Sequence, residues 1–161
     1  MSGFTLIELI MVLVLAGVLA VFVAPRLNVS DFFARGFHDE TLALLRYAQK
    51  TAIAQRRTVC VAFSASAPAS ATLTIASAAA SSVCDTSLIG PNQSCAGGPT
   101  GPRACINAKS SVSYSAGPAT MSFDGLGQPL PSATQTIRVA NAGVAIPQII
   151  TVEAGTGYVH D

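Results

Sequence analysis

The chain has 161 residues, of which 50% are hydrophobic and 11% charged, with a formal net charge of +1 at pH 7 and a mean hydropathy of +0.52. Such a composition excludes an intrinsically disordered chain, which combines low hydrophobicity with high net charge. It also argues against nucleic-acid recognition, which needs clustered Lys and Arg. The length fits one domain, and the apolar excess points to a membrane.

Residues 4–24, FTLIELIMVLVLAGVLAVFVA, form one apolar run whose only charge is Glu8. As a helix these residues extend about 31 Å, close to the roughly 30 Å of bilayer hydrocarbon. The residues after Glu8 carry no amphipathic interruption, which favours a membrane helix over a buried core helix. A cleaved secretory signal is a poor fit: no basic region precedes the run, Glu8 interrupts it, and Pro25 stands where a cut after Ala24 would fall. A start codon upstream of Met1 would account for the missing basic flank. Glu8 costs roughly 2.5 to 3.5 kcal/mol inside lipid. No Lys, Arg or His lies before Pro25 to pair with it. Its partner is then a group on another chain, an amine, or water reached by snorkelling to the interface.

The order Gly3-Phe4-Thr5-Leu6-Ile7-Glu8-Leu9, an apolar run and then Pro25 resembles the class III signal sequence of type IV pilins and pseudopilins. The resemblance implies a leader of residues 1–3, cut by prepilin peptidase between Gly3 and Phe4, with methylation of the new amine. Residues 4–25 would be the transmembrane and assembly segment, in which Glu8 attracts the N-terminal amine of a neighbouring subunit and Pro25 closes the span. Two charges that are each costly in lipid would then offset one another between protomers. The implied partners are other pilin or pseudopilin subunits, prepilin peptidase, an inner-membrane assembly platform and the bilayer. The implied location is the bacterial inner membrane, with the head in the periplasm, and afterwards a pilus or pseudopilus. Such proteins are structural subunits and not enzymes.

Residues 26–57 follow as an amphipathic segment, with a helix over 31–57. Phe33, Phe37, Thr41, Leu44, Leu45, Ala48 and Ala52 share one face at 100° per residue, with Arg35, Asp39, Arg46, Lys50 and Arg57 opposite. Ser30 is the expected N-cap, and Asp31 and Arg56 suit the two ends of the helix dipole. Gly36 and Pro25 are places for a bend. Six cations against three acids in this segment read as a solvated face.

Residues 58–161 switch to a period of two. Strands are expected over 58–63, 71–76, 111–114, 120–123, 136–140 and 149–153, forming a meander or two small sheets against the helix. The fold class is therefore α+β: a long N-terminal helix, half transmembrane and half amphipathic, packed on a small antiparallel head. Turn chemistry concentrates at Asp124-Gly125, Gly127 and Pro129, and again at 154–157. The stretch from Phe123 to Pro129, with Ile150-Thr151-Val152-Glu153 and Gly157-Tyr158-Val159, resembles minor pilins and pseudopilins of the H and T types.

Residues 64–82 are almost all Ala and Ser, and 90–103 are rich in Gly and Pro, both loop compositions. Cys60, Cys84, Cys95 and Cys105 are disulfide candidates in an oxidising compartment, with three connectivities open and a bridge among the last three favoured. Their spacing lacks the close pairs of a zinc site. No cofactor or metal site is expected, and a calcium role for Asp124 is weaker than a plain turn. His38 and His160 join no nucleophile and acid, so no catalytic residues are assigned. The leading function is a minor type IV pilin-like subunit. Alternatives are an H-type pseudopilin of type II secretion, and a pilus-associated adhesin or DNA-uptake subunit contacting ligand through 82–103.

Overall fold

The computed structural model describes residues 5–23, 29–90, 103–117 and 120–161. Helix α1 spans Leu6–Val23 and helix α2 spans Val29–Gln55. α2 begins at Val29, so Ser30 lies inside the first turn and is not the N-cap. It runs unbroken through Gly36, where a Cβ would meet open space.

The buried stripe of α2 is Ala34, Phe37, His38, Thr41, Leu42, Leu44, Leu45, Ala48 and Ala52. Phe33, expected on that stripe, is 39% exposed. The packed face is turned toward Ala34 and His38, which leaves Phe33 at its margin. His38 is buried with Nδ1 3.1 Å from Asp39 Oδ1, and Nε2 has no hydrogen-bond partner among the described residues.

The end of α2 explains how helix becomes strand within three residues. Arg56 adopts φ 50°, the Arg56 N–H donates to Ile53 O (3.3 Å) and the Arg57 N–H to Ala52 O (3.2 Å). This is the paired 5→2 and 6→1 bonding of a Schellman cap, with Arg where Gly is usual. The next strand starts directly.

Ten strands follow among the described residues: β1 Val59–Ser64, β2 Ser70–Ile75, β3 Thr86–Ser87, β4 Cys105–Asn107, β5 Val112–Ala116, β6 Thr120–Phe123, β7 Pro129–Leu130, β8 Gln135–Asn141, β9 Val144–Val152 and β10 Val159–His160. The first sheet has the order β3-β2-β1-β6-β7, with β4 also on β2. The second has the order β10-β9-β8-β5, and every pairing is antiparallel. Six strands fall where the period of two places them; β3, β4, β7 and β10 are additions of two or three residues.

Alternation buries Val59 and Val61 of β1, Ala71, Leu73 and Ile75 of β2, and Ile137 and Val139 of β8 in one core with the stripe of α2. α2 touches strands of both sheets. Tyr114 of β5 links them to the helix: its ring lies 5.2 Å from Phe37 and 5.3 Å from Phe63, and its Oη is 3.0 Å from Thr41 Oγ1. Burial pushes the Tyr114 phenol far above its ordinary pKa, so this hydroxyl is a structural hydrogen-bonding group.

Candidate functional site: an uncovered apolar helix and the head behind it

α1 carries Leu and Val in equal number, so propensity alone favours a helix only weakly, but no Pro interrupts it and its run is apolar throughout apart from Glu8. Every described side chain from Thr5 to Ala20 is exposed, including Leu6, Ile7, Leu9, Met11 and Leu13. A helix apolar on all faces is not stable against water, and no other described part of the chain covers it. α1 is described over 18 residues, about 27 Å, and no helix among the described residues is long and apolar enough to cross a membrane.

Glu8 sits in the first turn of α1, where a carboxylate favours the positive end of the helix dipole. Its backbone N–H donates to Thr5 O (3.1 Å). Its side chain is exposed among apolar neighbours. Gly3, Phe4 and Pro25 lie outside the described residues.

The cysteines resolve in part. Cys60 of β1 is bonded to Cys84, just before β3, with Cα atoms 6.1 Å apart. The bridge therefore spans the β2 hairpin and ties the segment before β3 to the central strand. Cys105 is also disulfide-bonded, and Cys95 lies outside the described residues.

The two glycine-bearing stretches of the head meet around a residue that sequence reasoning passed over, Gln49 of α2. Its Nε2 donates to Thr156 O (2.9 Å) and Gly127 O (3.3 Å), while Gln128 Nε2 donates to Gly155 O (3.1 Å). Asp124 Oδ1 accepts from the N–H groups of Leu126 (2.9 Å) and Gln128 (2.8 Å), which closes the first turn and occupies the carboxylate. Gly125 backs onto the Arg56 cap, where a Cβ would stand 3.0 Å from the Arg56 carbonyl carbon. Arg46 Nε donates to Val159 O (3.0 Å), fixing β10 to the helix. The motifs form a clamp on the end of α2 and hold no reactive group.

An open groove of about 710 Å³ beside this clamp is lined by Ile53, Arg56, Asp124, Leu126 and Leu130. Its carboxylate is already committed to the turn. Among the described residues no group of three His, Cys, Asp or Glu side chains could hold a metal. Two surface groups are tuned by neighbours: the Ser77 hydroxyl and N–H hold the Asp85 carboxyl below its usual range, and Glu153 Oε1, 3.0 Å from Nε2, raises His160.

A helix whose described apolar side chains are exposed, followed by a helix packed on antiparallel sheets, is the architecture of a pilin-like subunit. The chain belongs to the type II transport protein GspH family, whose sequence model matches residues 39–156. The fold is similar to that of the type IV minor pilin FimU of Pseudomonas aeruginosa. One crystal form aligns with 14% identity over 79% of this chain and 86% of that one, at a TM-score of 0.51. A second form aligns with 11% identity over 76% and 86%, at 0.49. No curated protein sequence matches the chain. Family and fold are those of structural subunits.

Proposed function

We propose that the protein is a minor pilin-like subunit that is cut between Gly3 and Phe4 and enters a filament through its N-terminal helix. The observation that carries this reading is α1, whose apolar side chains have no cover among the described residues and whose one charge is Glu8. Phe4 and Ala24 complete the apolar run to about 31 Å, enough for a single crossing before assembly. The head then stands in the periplasm, where its disulfides persist.

Cleavage would place an ammonium on Phe4, and Glu8 supplies the carboxylate that a neighbouring subunit's amine needs in apolar surroundings. Prepilin peptidase and an inner-membrane platform are the partners this sequence of events requires. The test is Glu8→Ala. The variant is expected to be processed and membrane-inserted but absent from sheared filaments, and incorporation equal to wild type overturns the role of Glu8.

A second reading, an H-type pseudopilin of type II secretion, is favoured by the family match. Deletion of the gene separates the two. Loss of surface pili with secretion intact supports the pilus, and loss of secreted enzymes with pili intact supports the pseudopilus.

A further inference from the structure

Phe32 and Phe33, where the first turn of α2 passes into the second, are 73% and 39% exposed and pack edge to face with ring centroids 6.3 Å apart. Phe37, one turn further, is buried, so the aromatic row leaves the core at this end of the head. The pairing of β4 with β2 brings Lys109, from the loop after β4, to the same place, with Nζ 6.0 Å from the Phe33 ring centroid. Phe32, Phe33, Gly36, Glu40, Asn107 and Lys109 line a shallow groove of about 180 Å³. Arg35 adds a second exposed cation one turn on. Of the nearby acids, Asp31 accepts a hydrogen bond from Asn141 Nδ2 (3.3 Å), and Glu40 stands on the groove wall.

We propose that this aromatic ledge, Phe32 and Phe33 with Lys109 beside them, rests in the headgroup layer of the bilayer that the run 4–24 is proposed to cross. The inference rests on the membrane placement of α1 proposed above and deepens it. Phe is among the residues that interfacial helices bury at the boundary of headgroups and acyl chains, and a Lys beside it keeps its stem on apolar surface while its ammonium reaches lipid phosphate. Chain length allows the ledge to reach that layer: six residues from Val23 to Val29 span at most about 21 Å and three helical residues add about 4.5 Å, an upper bound of about 26 Å within which all shorter separations are open. The headgroup layer itself is roughly 5 to 8 Å deep on each side. The ledge follows α1 in sequence, and because Lys109 and Arg35 stand among the exposed acids Asp31, Asp39 and Glu40, the exposed rings with Lys109 against them, and not net charge, are what suit it to the headgroup layer. Before assembly it would fix how the head stands on the membrane.

The chain contains no Trp, so a single substitution reports one site. Phe32→Trp and, as a control, Leu126→Trp are placed in the full chain. Leu126 is 78% exposed and lies in the turn that backs onto Arg56, about 36 Å along α2 from Phe32. Each variant is reconstituted in phosphatidylethanolamine and phosphatidylglycerol vesicles with bromine on the acyl carbons nearest the headgroup. The proposal expects emission at position 32 to be shifted to the blue and quenched by the brominated lipid, with position 126 unaffected. A chain that floats with the vesicles but shows no quenching at position 32 overturns it while leaving the membrane placement of α1 intact. A blue shift without quenching overturns it in favour of a second copy as the cover. A chain that fails to float contradicts the membrane placement itself.

Discussion

Gly157, at φ +66°, backs onto the carbonyl oxygen of Gly127, itself at φ +83°, so closely that no side chain fits between the two turns. The contact joins the turn after β6 to the turn before β10, and Gln49 of α2 hydrogen-bonds across both. Gly157→Ala meets a backbone atom and a left-handed conformation at once, and is expected to cost roughly 2 to 3 kcal/mol. Gly143 has φ +83° but open space around it, so Gly143→Ala should cost only about 1 kcal/mol. Thermal unfolding of the two variants checks the order, and equal losses would remove the contact from the explanation.

The bond between Cys60 and Cys84 closes a sequence separation of 24 residues around β2. In the chain-entropy view its loss removes roughly 3.5 kcal/mol. With Cys84 taken by Cys60 and Cys105 also oxidised, the second bridge is expected between Cys95 and Cys105. Non-reducing peptide mapping should find these two pairs, and a peptide joining Cys84 to Cys105 would contradict them.

Leu45 is fully buried where α2 crosses the core, with His38, Thr41 and Ala48 on the same buried stripe. Leu45→Ala is expected to cost about 2 to 5 kcal/mol through lost burial and the cavity left behind. Tyr114→Phe removes the bond to Thr41 Oγ1, which keeps its donation to Phe37 O (2.8 Å), so about 1 kcal/mol is expected. Urea unfolding distinguishes them, and a Tyr114→Phe loss as large as that of Leu45→Ala would assign the hydroxyl more than one hydrogen bond.

The Glu153 hydrogen bond raises His160 above the ordinary histidine value, so its folded-state pKa exceeds that of the unfolded chain. Its contribution to stability is then complete below the unfolded pKa and is lost as pH rises through the folded one. A pH titration of the His160 ring by NMR should show the raised value, and Glu153→Gln should bring it down. A ring unaffected by that change would exclude the pair as the cause.

Much of this architecture was legible because it is periodic. The 3.6-residue stripe of α2 and the alternation in β1, β2, β6 and β8 each run long enough to declare themselves. β3, β7 and β10 have two residues each, too few to show a period, and exist because β2, β6 and β9 offer them backbone partners. Phe33 looked buried because helical spacing gives a face but not where the covering strands stop. Glu8 stood out as a lone carboxylate in an apolar run, a signal that needs no tertiary information. Gln49 did not, since its contacts come from residues 78 and 107 positions away. The pairing of Cys60 with Cys84 was hidden for the same reason, being set by the register of β1 and β2 and the return of the chain toward β3.

Assembly through the N-terminal helix stands or falls on processing at Gly3. The measurement is the intact mass and N-terminal residue of membrane-extracted protein, expressed with and without a prepilin peptidase. A chain beginning at methylated Phe4, formed only when the peptidase is present, is the predicted result. A chain left uncut in its presence, or one beginning beyond Ala24, would contradict it and leave the head an ordinary anchored or exported domain.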